Sequence, residues 1–209
     1  FGGQMGETFN IAYSYIKYFP AEYHSQSAFW AAMSLRETIG KEHVRDIAKI
    51  HVDTSFHSYE IIGKEPAKWS PETRETADHS LPYIVAVTLM DGDVTLKQFN
   101  NARLKNSQLR ELIQKVAVAE KKEYTDAYGK SFPNKVTITM ANGAVHEKEI
   151  LDPKGHPNNP LTPEEIEAKF KTASAPVLAK KRQDQIIDKI RSLEKLRDIG
   201  ELMKLAKVD

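Results

Sequence analysis

Two stretches of this chain crowd together residue types that hold anions and move protons. The first is Lys17-Tyr18-Phe19-Pro20-Ala21-Glu22-Tyr23-His24-Ser25-Gln26-Ser27. It sets a lysine at a predicted strand end and polar residues at a predicted helix start, where free N–H groups and the helix dipole attract negative charge. A plainer reading makes Ser25 an ordinary N-cap and leaves Lys17 and Glu22 as solvated charges. The second stretch is Arg74-Glu75-Thr76-Ala77-Asp78-His79-Ser80-Leu81-Pro82-Tyr83, with cationic, acidic and hydroxyl groups at the mouth of an apolar helix. Here the plain reading has Asp78 or Ser80 capping the helix, His79 satisfied in the core and Tyr83 packing its ring. Polar groups that lead into a buried helix must have their hydrogen bonds accounted for in either case.

Other chemistries lack a signature. There is no Gly-rich phosphate loop, no GxSxG, no HExxH, and no cysteine for a thiolate, a zinc site or a disulfide. The seven histidines show no tight metal-ligand spacing; His51 and His57, six apart across a strand end, come nearest. Thirty Lys+Arg against twenty-nine Asp+Glu leave a net charge of +1, which gives no electrostatic footprint for nucleic acid. The longest apolar run, Ile84-Val85-Ala86-Val87 with Thr88-Leu89-Met90, falls far short of the ~20 residues a bilayer requires. The chain opens on Phe1-Gly2-Gly3, without an initiator Met or a signal pattern, and reads as part of something longer.

The elements that must position the two stretches follow from periodicity. Imperfect alternation predicts a strand over 11–19, ended by Pro20. Ala28, Ala32, Leu35 and Ile39 form one face of a helix over 25–39, stopped by Gly40. A second strand is predicted over 44–54, then a turn-rich loop over 63–76 with one helical turn. Leu81–Met90 is apolar on nearly every face and predicts a buried helix, with Pro82 in its first turn and Asp91-Gly92 closing it. Leu109, Leu112, Ile113 and Val116 mark a further amphipathic helix. Lys135–Ile150 is a hairpin, for which Asn142-Gly143 predicts a type I′ turn. Thr162-Pro163-Glu164-Glu165 opens a capped helix, after which the chain is helical and charged, with Ile186, Ile190 and Leu193, then Ile199, Leu202 and Met203, on one face. The result is an α+β fold: a small mixed domain over 1–155, with a hairpin and a buried helix, and a helical segment over 156–209 whose apolar stripe must dock on something.

At its chemically crowded stretches the chain resembles the MmgE/PrpD family. The resemblance rests on Lys17 through Ala28, and on Glu75-Thr76-Ala77-Asp78-His79-Ser80-Leu81-Pro82-Tyr83-Ile84-Val85-Ala86 with Asp91-Gly92. It continues through Gly155-His156-Pro157-Asn158-Asn159-Pro160-Leu161-Thr162-Pro163-Glu164-Glu165 and Lys169-Phe170. It implies the small α/β domain and returning C-terminal helices of a lyase more than twice this length, whose large all-helical domain is not matched. It further implies a metal-independent enzyme without cofactor, cytosolic or mitochondrial, usually a homodimer, acting on small tricarboxylates. Loss of water from 2-methylcitrate is the reaction it favours; decarboxylation of cis-aconitate and isomerisation stay open.

By the same resemblance Lys17, with Ser25 and Gln26, binds substrate carboxylates, whereas Tyr83, His24 and His79 hydrogen-bond or transfer protons. Family members differ in where the histidine after the proline turn falls, some carrying it where Glu22 or Gln26 stands here. The family's other acid–base residues belong to its helical domain. The reading from a different class is a non-catalytic acid-binding or oligomerisation module of the same fold.

Overall fold

The computed structural model describes Gly6 and residues 8–208; Phe1-Gly2-Gly3 lies outside the described residues. The chain forms two compact units, residues 1–160 and 161–209. The first is built on a four-stranded sheet of order β2-β1-β3-β4: β1 (Ile47–Thr54), β2 (Val116–Glu120), β3 (Asn134–Met140) and β4 (Val145–Ile150). β1 pairs parallel with β2 and antiparallel with β3, and β3 pairs antiparallel with β4. The fold is therefore α+β, with a mixed sheet. β3 alternates strictly between buried and half-buried positions, placing Val136, Ile138 and Met140 in the core. The outer strand β4 carries Glu147, Lys148 and Glu149, charges that discourage pairing with another chain.

Two helices supply most of the remaining core. Gln26–Ile39 buries Ala28, Phe29, Ala31, Ala32 and Leu35 and ends at Gly40. Leu81–Asp91 is buried from Leu81 to Leu89, with Pro82 in its first turn and Gly92 as a left-handed C-cap. Both agree with the periodicity, because an apolar stripe or an all-round apolar surface must be covered.

Four local expectations are corrected. No strand forms over 11–19: a 3₁₀ turn, Asn10–Tyr13, whose Ile11 and Tyr13 stay exposed, leads into an extended segment. The strand predicted from Val44 starts at Ile47, after a 3₁₀ turn over Lys41–Asp46. Val116 does not belong to the preceding helix, Ser107–Gln114, but opens β2, a short Ala-rich strand that takes its register from β1. At the hairpin only Gly143 has positive φ (85°); Gly143 N–H donates to the Met140 carbonyl (2.9 Å) and Met140 N–H to that of Ala144 (2.8 Å). This is the longer, bulged connection rather than a type I′ turn, since Asn142 stays right-handed.

Residues 152–159 belong to the first unit, where Gly155 N–H donates to the Asn159 carbonyl (2.9 Å) and Asn159 Nδ2 to that of Asp152 (3.0 Å). The second unit comprises helices Pro163–Ser174, Lys180–Arg191 and Gly200–Ala206. Thr162 and Glu165 form the expected capping box on the first of these. Within the unit, Gln183 Nε2 donates to the Lys171 carbonyl (2.9 Å) and to Ser174 Oγ (2.9 Å). Ile186 is buried, whereas Ile190, Leu193, Ile199 and Met203 of the stripe are exposed. No helix is long and apolar enough to cross a membrane among the described residues.

Candidate active site

The chain before the first helix is held as a rigid turn. Buried Gln26 accepts from Tyr18 N–H (3.0 Å) and Phe19 N–H (3.5 Å) through Oε1, and its Nε2 donates to the Phe19 carbonyl (3.2 Å). Ser25 does not cap the helix with its side chain; its Oγ donates back to the Glu22 carbonyl (2.7 Å). From the sheet, Asn134 Nδ2 reaches the His24 carbonyl (2.8 Å) and Ser27 Oγ (2.7 Å). Ser25 and Gln26, the predicted anion-binding pair, are thus buried and internally bonded, bracing the turn that carries Glu22 and His24.

Glu22 and His24 form the centre of the site. His24 Nδ1 lies 2.7 Å from Glu22 Oε1, and the Glu22 carboxylate also accepts from the His24 backbone N–H (2.7 Å). Burial pushes the Glu22 carboxyl up, but the hydrogen bonds and charge of His24, with the charge of His79, outweigh it and hold the group below its ordinary range. The other ring nitrogen, Nε2, lies 3.1 Å from the hydroxyl of Tyr128. The Tyr128 ring stacks on exposed His57, with centroids 3.9 Å apart, and meets Phe132 edge-on at 5.4 Å.

A backbone bond joins the two crowded stretches: Glu22 N–H donates to the Asp78 carbonyl (2.9 Å). Asp78 Oδ1 in turn lies 2.5 Å from His79 Nδ1, on a half-exposed imidazole. His79 is therefore not a core histidine, and Ser80, not Asp78, caps the following helix by accepting from Tyr83 N–H (3.1 Å). Two histidine–carboxylate pairs stand on adjoining turns. In each, the carboxylate fixes the ring orientation and favours the proton on Nδ1.

The remaining predicted residues are placed differently. Tyr83 lies in the core, fully buried, its ring stacked on Phe99 and its hydroxyl donating to the Gln98 carbonyl. Burial raises the phenol well above its ordinary range. Lys17 is exposed at the end of the extended segment, which is pinned on both sides. Tyr15 stacks on Tyr23 (5.0 Å) and on His156 (5.1 Å), and Ile16 N–H donates to the Gly155 carbonyl (2.9 Å). Gly155 has φ +91°, and a Cβ there would overlap the Ile16 carbonyl oxygen, so only glycine permits this approach. Among the described residues no three His, Asp or Glu side chains converge as metal ligands.

Of the residues gathered at this candidate site, Glu22 and Asp78 read from the sequence only as a solvated charge and a helix cap, His57 only as one of a spaced histidine pair, and Tyr128 not at all. A glutamate two residues before a histidine was an available signal for the first. Tyr128 joins from more than a hundred residues away, and no local pattern marks it.

The profile of the MmgE/PrpD C-terminal domain matches residues 19–195. The 2-methylcitrate dehydratase of Salmonella typhimurium is 30% identical over 203 residues, covering 88% of this chain and 41% of that protein. The 2-methylcitrate dehydratase of Cupriavidus necator is 29% identical over 181 residues, 81% of this chain and 36% of that protein. The cis-aconitate decarboxylase of Mus musculus is 26% identical over 137 residues, 66% of this chain and 28% of that protein. The chain thus spans less than half the length of each of these relatives.

Proposed function

This chain belongs to the MmgE/PrpD family, and we propose that it supplies one side of the active site of a lyase that dehydrates 2-methylcitrate to 2-methyl-cis-aconitate. The observation that carries the reading is the bond from Glu22 N–H to the Asp78 carbonyl, which sets two histidine–carboxylate pairs side by side. Dehydration next to a carboxylate needs a base for the carbon-bound proton, an acid for the departing hydroxyl and a cation for the carboxylates. His79, its Nδ1 held by Asp78, is the base, and the Glu22–His24 pair stands on the acid side. Lys17 is the cation, on a segment fixed by Tyr15 and Gly155. Tyr83, with Ser25 and Gln26, contributes by holding these turns from within. A helical domain of the kind the family resemblance implies provides the rest of the pocket, in a homodimer of the cytosol or the mitochondrial matrix.

The test is to follow the absorbance of the unsaturated product with 2-methylcitrate, citrate and cis-aconitate as substrates. It uses this chain alone and a protein of the relatives' full length that carries it. Turnover of 2-methylcitrate only by the longer protein is expected. Turnover by the 209-residue chain alone would sink the half-site idea, and carbon dioxide release from cis-aconitate would reassign the reaction to decarboxylation. No turnover of any tricarboxylate by the longer protein leaves the non-catalytic acid-binding or oligomerisation module.

A further inference from the structure

We propose that Tyr128 is the group that gives its proton to the leaving hydroxyl, with His24 and Glu22 as positioning residues behind it; this rests on the dehydratase reading above. His24 is only 8% exposed and both its ring nitrogens are engaged, by Glu22 Oε1 at 2.7 Å and by the Tyr128 hydroxyl at 3.1 Å. A buried imidazole with both nitrogens occupied does not itself reach a substrate. Tyr128, 36% exposed, is the member of the line open to solvent. The line Glu22–His24–Tyr128 therefore runs from a half-buried carboxylate to a phenol at the surface, and its outer member is the one that solvent and substrate meet.

The ring is held in one orientation. His57 stacks on it, Phe132 meets it edge-on, and the Tyr15 hydroxyl donates to the carbonyl of neighbouring Gly129 (3.4 Å). The titratable groups facing Tyr128 are His24, Glu22, His57 and Tyr15. Burial, with the charge of Glu22 and the nearby Tyr15, raises the Tyr128 phenol above its ordinary value and keeps it protonated at neutral pH. When His24 carries both ring protons, Nδ1–H donates to Glu22 and Nε2–H to Tyr128 Oη, which turns the phenol hydrogen outward.

The Tyr128 O–H bond breaks and its proton joins the substrate hydroxyl. The C–O bond breaks and its electron pair leaves with the water formed. His79 takes the carbon-bound proton, and the C–H electron pair becomes the second carbon–carbon bond. The phenolate is held by the His24 imidazolium until solvent returns its proton, and His79 releases the proton it took to solvent.

Tyr128→Phe keeps the ring and its stacking and removes only the acid. In a protein of the relatives' full length we expect kcat to fall by about 100-fold or more, the usual contribution of a general acid, with KM within about threefold because substrate binding is untouched. The acid-specific readout is an analogue whose departing hydroxyl is replaced by fluorine, since fluoride leaves without that proton. The variant should eliminate fluoride at a rate close to that of the parent protein. Equal losses with both leaving groups, or no loss with the hydroxyl substrate, overturn the assignment. Should the parent protein dehydrate no tricarboxylate, the dehydratase reading fails, and the relay is then judged by NMR with tyrosine labelled at Cζ. A Tyr128 signal that moves as His24 titrates, and no longer does so in Glu22→Gln, upholds the coupled line; a signal indifferent to both overturns it.

Discussion

Tyr83 and Tyr128 are the same residue in two regions that use it in opposite ways. Tyr83 stands in the first turn of the buried Leu81–Asp91 helix, its hydroxyl bonded to a backbone carbonyl and none of its surface reaching solvent. Tyr128 lies in a turn after β2, its hydroxyl bonded to an imidazole and a third of its surface open. A phenol bonded to a carbonyl in the core has one protonation state and one geometry, so its energy goes into the fold. A phenol bonded to an imidazole at the surface has a partner that itself changes charge. What separates structural from chemical use is the identity of the hydrogen-bond partner and the path to solvent, not the residue type.

Substitutions can break or sharpen this contrast. The largest difference is expected from truncation: Tyr83→Ala should cost about 3–5 kcal/mol of stability, as for other buried aromatics cut to alanine, whereas Tyr128→Ala should stay within about 1 kcal/mol, as a partly exposed position does. Urea unfolding of both variants reads this directly, and comparable losses would erase the contrast. A smaller effect, on the side of the molecule that holds Lys17, is expected from Gly155→Ala. The strained φ alone costs of order 1–3 kcal/mol, and the overlap with the Ile16 carbonyl shifts the Lys17 segment as well. Unfolding midpoints should fall, and the amide resonances of residues 15–17 should move while those of Tyr83 stay in place.

The smallest effect is one of pH. The carboxyl of Glu22 is held below its ordinary value of 4.5, so its pairing with His24 stabilises the fold above that pH. The contribution fades as pH falls through the lower, folded-state value. Glu22→Gln should flatten this acid limb of the stability curve, whereas Tyr83→Phe should leave its slope unchanged. Urea midpoints collected from neutral pH down to the acid limb decide it; a limb as steep in Glu22→Gln as in the parent would remove Glu22 from the account.

Much of the fold was legible because it rests on local periodicity. The helices over 26–39 and 81–91, the stops at Gly40 and Gly92, the hairpin strands and the capping box at Thr162 all follow from spacing within a single turn or strand. What could not be read depends on distant partners. Val116–Glu120 is a strand because β1 offers it a parallel edge, and its Val-Ala repeat is too short to announce itself. Conversely, the tyrosine and isoleucine alternation over 11–19 looks like a strand, yet this segment is held by Gly155 and by ring stacking instead. The site divides in the same manner. His24, His79 and Lys17 were visible as chemically able residues in short motifs. Their carboxylates stood one and two residues away but read as caps and solvated charges. Tyr128 enters only through the fold.

The interlock of Ile16 with Gly155 has a kinetic consequence. It joins the two ends of the first unit, so closing it orders a loop that contains the whole sheet. Its loop-closure entropy is far larger than that of the β3–β4 hairpin, whose strands meet across a few residues. By its sequence separation the seating of Lys17 is expected to follow the hairpin, and refolding read at the amides of residues 15–17 against those of β3 and β4 checks this. A chain that has made its core but not this contact would have native-like sheet and helices, with Lys17, the proposed carboxylate-binding cation, still unplaced.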